Sequence, residues 1–251
     1  MAAPRRTPAL IAPETMPDSY APDDDPVEVR LEDDRTLTIS GRPDAAGVEK
    51  EIRIRLPPRG AEAELTHRLV NRRTSAIEIA PWTLTIVRGG GVALLPSKPW
   101  RSHDESLDAA RPFVLWSFTE LSDPRWSFGR RSILLRADGA REDPQKAGAG
   151  NTCGWCACVW KETVLVKRLG HDPVARYPDF GCNNEIYAAG TFMELESLGP
   201  LRTLEPGDSV LHAERWSLHR AAIPKDPCVC GPDEIEAAVE RAVPGVFEAD
   251  A

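Results

Sequence analysis

Residues 191–218 read TFMELESLGPLRTLEPGDSVLHAERWSL, and the fold is decided by how this run is read. Side chains alternate along an extended chain. Phe192, Glu194, Glu196 and Leu198 therefore share one face, and Met193, Leu195 and Ser197 the other. The two carboxylates lie about 7 Å apart at a rise of roughly 3.4 Å per residue. Glu205-Pro206-Gly207-Asp208 has the composition of a turn, after which Val210, His212, Glu214, Trp216 and Leu218 fall on one face. The expectation is two strands around a turn, with Glu, Glu, His, Glu and Trp on a shared face. Such a face is not a dry core; it is either a solvated surface or the floor of a polar cleft.

Working outward, the same period of two recurs. VEVRLED and TLTIS are separated by Asp33-Asp34, and VEKEIRIRL sets Val48, Ile52, Ile54 and Leu56 against Glu49, Glu51, Arg53 and Arg55, the signature of a strand with one wet face. AELTHRLVNR places Leu65, His67 and Leu69 on one side. Further strands are expected in AIEIAPWTLTIVR, VALLP, WCACVW and TVLVKRL. Loops are expected over Ser97–Arg111, Gly148–Asn151 and His171–Gly190, and long loops in compact domains are often functional. Gly89-Gly90-Gly91 joins two strand patterns and lacks the lysine and helix of a phosphate loop. Only DEIEAAVERAV, with Ile235, Ala238, Val239, Ala242 and Val243, has helical spacing. The fold class expected is all-β, a sandwich with one short C-terminal helix. The organisation expected is an extended arm at 1–26, a β-sandwich at 27–222, and a tail at 223–251 carrying that amphipathic helix.

The 251 residues hold 23 Pro and 18 Gly, carry a net charge of −8 and have 41% hydrophobic content. An acidic chain is a poor general partner for phosphate, so no nucleic acid is expected. No apolar run reaches the ~18 residues of a membrane span, so no membrane partner is expected. The first residues hold two arginines but no apolar core of a signal peptide, which leaves the cytoplasm as the default location. Six cysteines stand at 153, 156, 158, 182, 228 and 230. Cys156 and Cys158 fall on one strand face and the Cys228-x-Cys230 pair is flanked by proline, so neither a metal nor a cofactor is assigned.

Several segments together resemble the galactose-mutarotase-like superfamily, most of all a bacterial subgroup known as aldose-epimerase-like or by a domain of unknown function. They are Thr66–Asn71, Ala80-Pro-Trp82, Val114-Leu-Trp116, Leu121–Trp126, Tyr177–Asn183 and Met193–Asp208 with the HAERWSL strand. The resemblance covers about residues 10–220. It implies a β-supersandwich, whose curved sheet forms a cleft for a small-molecule carbohydrate. It also implies further strands upstream of Ala12-Pro-Glu14, so the chain reads as N-terminally shortened.

Mutarotation opens a sugar ring at the anomeric carbon and needs a base for the anomeric hydroxyl and an acid for the ring oxygen. The resemblance places the base at Glu196, with Glu194 as the alternative on the same face. The family's histidine would fall on Ala80-Pro81-Trp82, where this chain has none. His67 is the candidate acid, ahead of His171 and Tyr177. Trp82, Trp116, Arg125, Trp126, Tyr177 and Asn183 are the candidate sugar-binding residues. Two classes stay open: a carbohydrate-binding relative that lacks the usual histidine, and an aldose 1-epimerase-type isomerase with Glu196 as base. The oligomeric state is not legible.

Overall fold

The computed structural model describes residues 9–22, 25–223 and 226–248. Among them run the strands β1 (Ala9–Ala12), β2 (Glu28–Asp33), β3 (Thr36–Ser40), β4 (Val48–Arg55), β5 (Glu62–Asn71), β6 (Ile77–Arg88), β7 (Val92–Pro96), β8 (Val114–Leu115) and β9 (Trp126–Phe128). β10 (Ser132–Arg136), β11 (Gln145–Ala149), β12 (Trp155–Trp160), β13 (Thr163–Leu169), β14 (Asn184–Ala189), β15 (Phe192–Leu198), β16 (Arg202–Leu204) and β17 (Ser209–Arg220) follow, then the helix α1 (Pro232–Ala242). The first sheet has the order β1-β6-β15-β14-β11-β8, with β16 also paired to β6. The second has the order β2-β3-β4-β5-β17-β13-β12-β7-β10-β9. The all-β sandwich with one short C-terminal helix is therefore observed. No helix among the described residues is long and apolar enough to cross a membrane.

Period-two patterning builds the core between the sheets. Ala93, Leu95, Leu135, Cys156, Cys158 and Leu165 of the second sheet meet Ala147, Ile186, Ala188, Met193 and Leu195 of the first. The opposite parity of the second sheet, Val92, Leu94, Leu134, Trp155, Ala157 and Val159, is equally apolar and needs its own cover. Helix α1 supplies it through Ile235, Ala238 and Val239, all buried. Each such Ile or Val contributes roughly 1.5–3 kcal/mol when fully buried. The charged outer face read for β4 and β5 is laced by ion pairs such as Arg53–Glu32 at 2.8 Å and Arg55–Glu64 at 2.6 Å.

Three expectations are corrected. The strands of residues 191–218 are not neighbours: β15 pairs with β14 and β6 in the first sheet, whereas β17 pairs with β5 and β13 in the second. Gly199-Pro200 is where β15 ends, before β16 pairs briefly with β6 and the chain crosses to the second sheet. Gly199 donates to the Pro81 carbonyl at 2.8 Å, and a Cβ there would stand 2.9 Å from the Pro81 ring. Gly148 and Ala149, read as loop, belong to the strand β11, and residues 184–189, read as irregular, are the strand β14. Ala9–Ala12 of the N-terminal segment pairs with β6 as an edge of the first sheet; residues 1–8 lie outside the described residues.

Candidate functional site

Alternation in β15 divides its side chains between two polar centres. Met193, Leu195 and Ser197 point between the sheets, while Glu194, Glu196 and Leu198 point to the outer face of the first sheet. Register then assembles that outer face: Glu196 lies opposite Leu84 and Glu185, Glu194 opposite Ile86 and Tyr187, and Leu198 opposite Trp82. On β11, Lys146 lies opposite Tyr187 and Gly148 opposite Glu185. A cleft of about 570 Å³ opens over this face, floored by Glu194, Glu196 and Lys146 and walled by Trp82, Trp116 and Phe118. Glu14 and Tyr20, from the segment after β1, close one side.

Glu196 is fully buried at the cleft floor. Its Oε2 accepts the indole N–H of Trp82 at 2.6 Å and the ammonium of Lys146 at 2.8 Å, whereas Oε1 accepts no hydrogen bond. The same ammonium stands 2.8 Å from Oε2 of Glu185 and faces the rings of Trp82 and Trp116 at 4.8 and 4.6 Å from their centroids. Aromatic faces attract a cation through their quadrupole. Burial works against the charge on Lys146, but the carboxylates of Glu196 and Glu185 outweigh it and hold its pKa above the ordinary lysine value. Glu185 behaves in the opposite way. Burial pushes its carboxyl well above the usual range, and the negative charge of Glu196 adds to that, against the pull of Lys146.

Gly148 makes this floor possible. A Cβ there would lie 2.7 Å from Cys182 Sγ, 3.0 Å from Glu185 Cγ and 3.3 Å from Trp116. Cys182 is set beside it after the left-handed turn at Asp179, Phe180 and Gly181, with φ of 48°, 57° and 94°.

The second polar centre lies between the sheets. Glu214 Oε1 is 2.8 Å from Lys167 Nζ and accepts hydrogen bonds from Ser197 at 2.6 Å and from Thr83. Its Oε2 accepts the indole N–H of Trp216 at 2.9 Å and lies 3.7 Å from His67 Nε2. Ser197 Oγ is 2.7 Å from His212 Nε2. Burial is the first cause holding the His212 imidazole down, at about 4. Glu214 is held well below the carboxylate range: Lys167, His67 and His212 together overcome its burial.

The structure thus brings Glu194, Glu196, Trp82 and Trp116 into one cleft. His67 stands on the other side of the first sheet, buried beside Glu214, so the sheet itself separates it from Glu196. Arg125 is buried against Asp123 at 2.8 Å, and Trp126 donates to Gln145 at 2.9 Å within the core. Asn183 accepts the backbone N–H of Asn151 at 2.6 Å. Tyr177 stacks on His171, and its hydroxyl accepts the Asp172 N–H at 2.8 Å. These residues brace loops and strands away from the cleft lining. Sequence reasoning missed Lys146, Glu185 and the aromatic residue Tyr187. Both charged residues sit on strands with no period-two signal: GlnLysAlaGlyAla is poor in β-branched and aromatic residues. Among the described residues no group of three or more His, Cys, Asp or Glu side chains could hold a metal ion.

No family model matches the chain, and no curated protein matches it in sequence. Solved structures share its architecture. A galactose mutarotase-like protein from Lactobacillus casei aligns at 13% identity and a TM-score of 0.46, over 77% of this chain and 73% of that one. A provisionally assigned aldose 1-epimerase from Klebsiella pneumoniae aligns at 10% identity and a TM-score of 0.50, over 90% of this chain; the chain spans 58% of that relative's length. A TPR-domain-containing protein from Parabacteroides distasonis aligns at 10% identity and a TM-score of 0.52, over 84% of this chain and 37% of that one. At these identities the likeness establishes the fold: a mutarotase-like β-sandwich.

Proposed function

We propose that the cleft on the outer face of the first sheet binds a small carbohydrate. The observation that carries the reading is the pairing of aromatic walls with a carboxylate floor in one concavity. Trp82, Trp116 and Phe118 offer faces for the CH side of a pyranose, and Glu194 and Glu196 offer acceptors for its hydroxyls. The volume lies in the range of small-molecule sites.

Turnover is a separate matter. Ring opening needs a base and an acid within hydrogen-bond reach of one sugar. Oε2 of Glu196 is committed to Trp82 and Lys146, and no histidine lines the cleft among the described residues. The reading is therefore of a binding protein without efficient epimerase activity. The epimerase alternative draws on one feature, the unpartnered Oε1 of Glu196 at the floor.

Titration of the full chain with a panel of aldoses, followed by NMR, tests both. The expected outcome is saturable binding that weakens about tenfold in Trp116→Ala, the loss of one stacking face, and anomer exchange no faster than in buffer. Absence of binding across the panel removes the reading. An exchange rate above buffer that is lost in Glu196→Gln replaces it with the epimerase.

A further inference from the structure

Asp179 and Phe180, with φ of 48° and 57°, are the non-glycine residues of left-handed conformation among the described residues. That conformation crowds Cβ against the following carbonyl, and a bulky side chain in it is an outlier. Neighbouring hydrogen bonds enforce it. Gly181 and Cys182 donate their N–H groups to the Pro178 carbonyl at 2.9 and 3.0 Å, and Asn183 donates to the Ala149 carbonyl at 3.2 Å. Packing of the Phe180 ring does not offset the strain, since the residue is 95% exposed. Strain held in place without a packing gain is a pointer to function.

The turn stands at the rim of the sugar cleft, on the same face of the first sheet as Trp116. A Cβ on Gly148 would meet Cys182 Sγ at 2.7 Å and Trp116 at 3.3 Å, and one on Gly150 would stand 3.2 Å from the Gly181 carbonyl oxygen. Phe180 is two residues from Cys182, so the two Cα atoms lie within about 7.6 Å of each other. The Asp179 carboxyl, raised chiefly by burial, also feels the charges of Lys146, Glu14 and Glu196. All three of those residues line the cleft. Rotation of an exposed side chain is fast, so the Phe180 ring can turn toward the cleft with its backbone fixed.

We propose that Phe180 is a sugar-contacting residue, whose ring folds over the mouth of the cleft and stacks on the outer face of a pyranose held there. The left-handed turn keeps the ring off the protein surface and available to the ligand. This inference rests on the carbohydrate reading above and adds to it the residue that covers the sugar.

The test is NMR titration of the full chain with D-glucose, D-galactose and D-mannose, paired with thermal unfolding. Phe180→Ala removes the ring and keeps the left-handed backbone. It is expected to weaken binding of the tightest of the three sugars about fivefold, the loss of one aromatic face, with Tm near that of the parent chain. Phe180→Gly loses the same affinity but raises Tm by about 2–4 °C, because glycine adopts this φ without a Cβ clash. Phe180→Tyr keeps the affinity within about twofold. In the parent complex, nuclear Overhauser contacts join the Phe180 ring protons to sugar C–H protons, a signal that a purely structural turn would not give. Unchanged affinity in Phe180→Ala, or absence of those contacts at saturation, overturns the inference and leaves the carbohydrate reading standing. A loss in Phe180→Tyr equal to that in Phe180→Ala does the same. A Tm not raised in Phe180→Gly removes the strain from which the inference starts, and the inference with it. Failure of all three sugars to bind overturns both.

Discussion

At the scale of single residues the decisive atom is Nζ of Lys146. Two buried carboxylates opposite each other on adjacent strands repel, and burial penalises each charge further. The lysine is what makes Glu185 and Glu196 tolerable together. Lys146→Met keeps much of the packing between the two tryptophans but removes the charge. It is expected to cost about 3–5 kcal/mol at pH 8, the range for breaking a buried ion pair from one side. The sign of its pH dependence follows from the carboxyls left behind. Without the cation the buried Glu185 carboxyl, already held above the ordinary value, is pushed higher still, so the folded state binds more protons and the deficit shrinks as pH falls toward 5. Urea unfolding of both proteins across that range measures it. A deficit that is constant with pH, or that grows on acidification, contradicts the assignment of Lys146 as the neutralising charge.

At the scale of elements, the chain reveals strands that alternate and conceals those that do not. β4, β5 and β15 are written in period two, and the Glu194–Glu196 face can be read directly from it. β11 and β14 cannot be read so. Gln145–Ala149 carries Ala and Gly where strand propensity asks for branched residues, and its conformation is set by its place between β14 and β8. The apparent hairpin misleads for a related reason. Alternation fixes which residues share a strand face, but nothing local says which sheet a strand joins, and β15 and β17 join different ones. Gly148 shows what the weak pattern serves, since the space above it holds Trp116 and the space beside it Cys182 and Glu185. Gly148→Val overpacks that floor. It is expected to destabilise by about 1–3 kcal/mol and to displace Trp116, seen as a shift in tryptophan fluorescence and a loss of sugar affinity. An affinity equal to that of the parent protein contradicts the placement of Trp116 over Gly148.

At the scale of the whole molecule, one sheet separates two polar centres with different duties. The interior centre of Glu214, Lys167, His67 and His212 ties the two sheets together, whereas the cleft centre floors the cavity proposed to bind sugar. They share the backbone of β15 and β6, yet no hydrogen bond or ion pair described above joins them. On the proposed reading, the interior centre is expected to govern acid stability and the cleft centre binding. His212 is held neutral in the fold at a pKa of about 4, below the ordinary value of about 6.5 in an unfolded chain. The native state thus binds fewer protons than the unfolded state across that window. The contribution of His212 is full above pH ~6.5 and is lost as pH falls toward 4, an amount on the order of 3 kcal/mol. Glu214, held below the carboxylate range, adds a loss of the same sign at lower pH. His212→Gln keeps a polar partner for Ser197 but cannot titrate. Its unfolding free energy is expected to vary less between pH 6.5 and 4 than that of the parent chain, while ligand affinity at pH 7 stays within about twofold. Trp116→Ala is expected to do the reverse, weakening binding about tenfold with the acid slope intact. Two variants that each moved both quantities would mean that the first sheet transmits changes between its faces, and the division of labour between the two centres would fall.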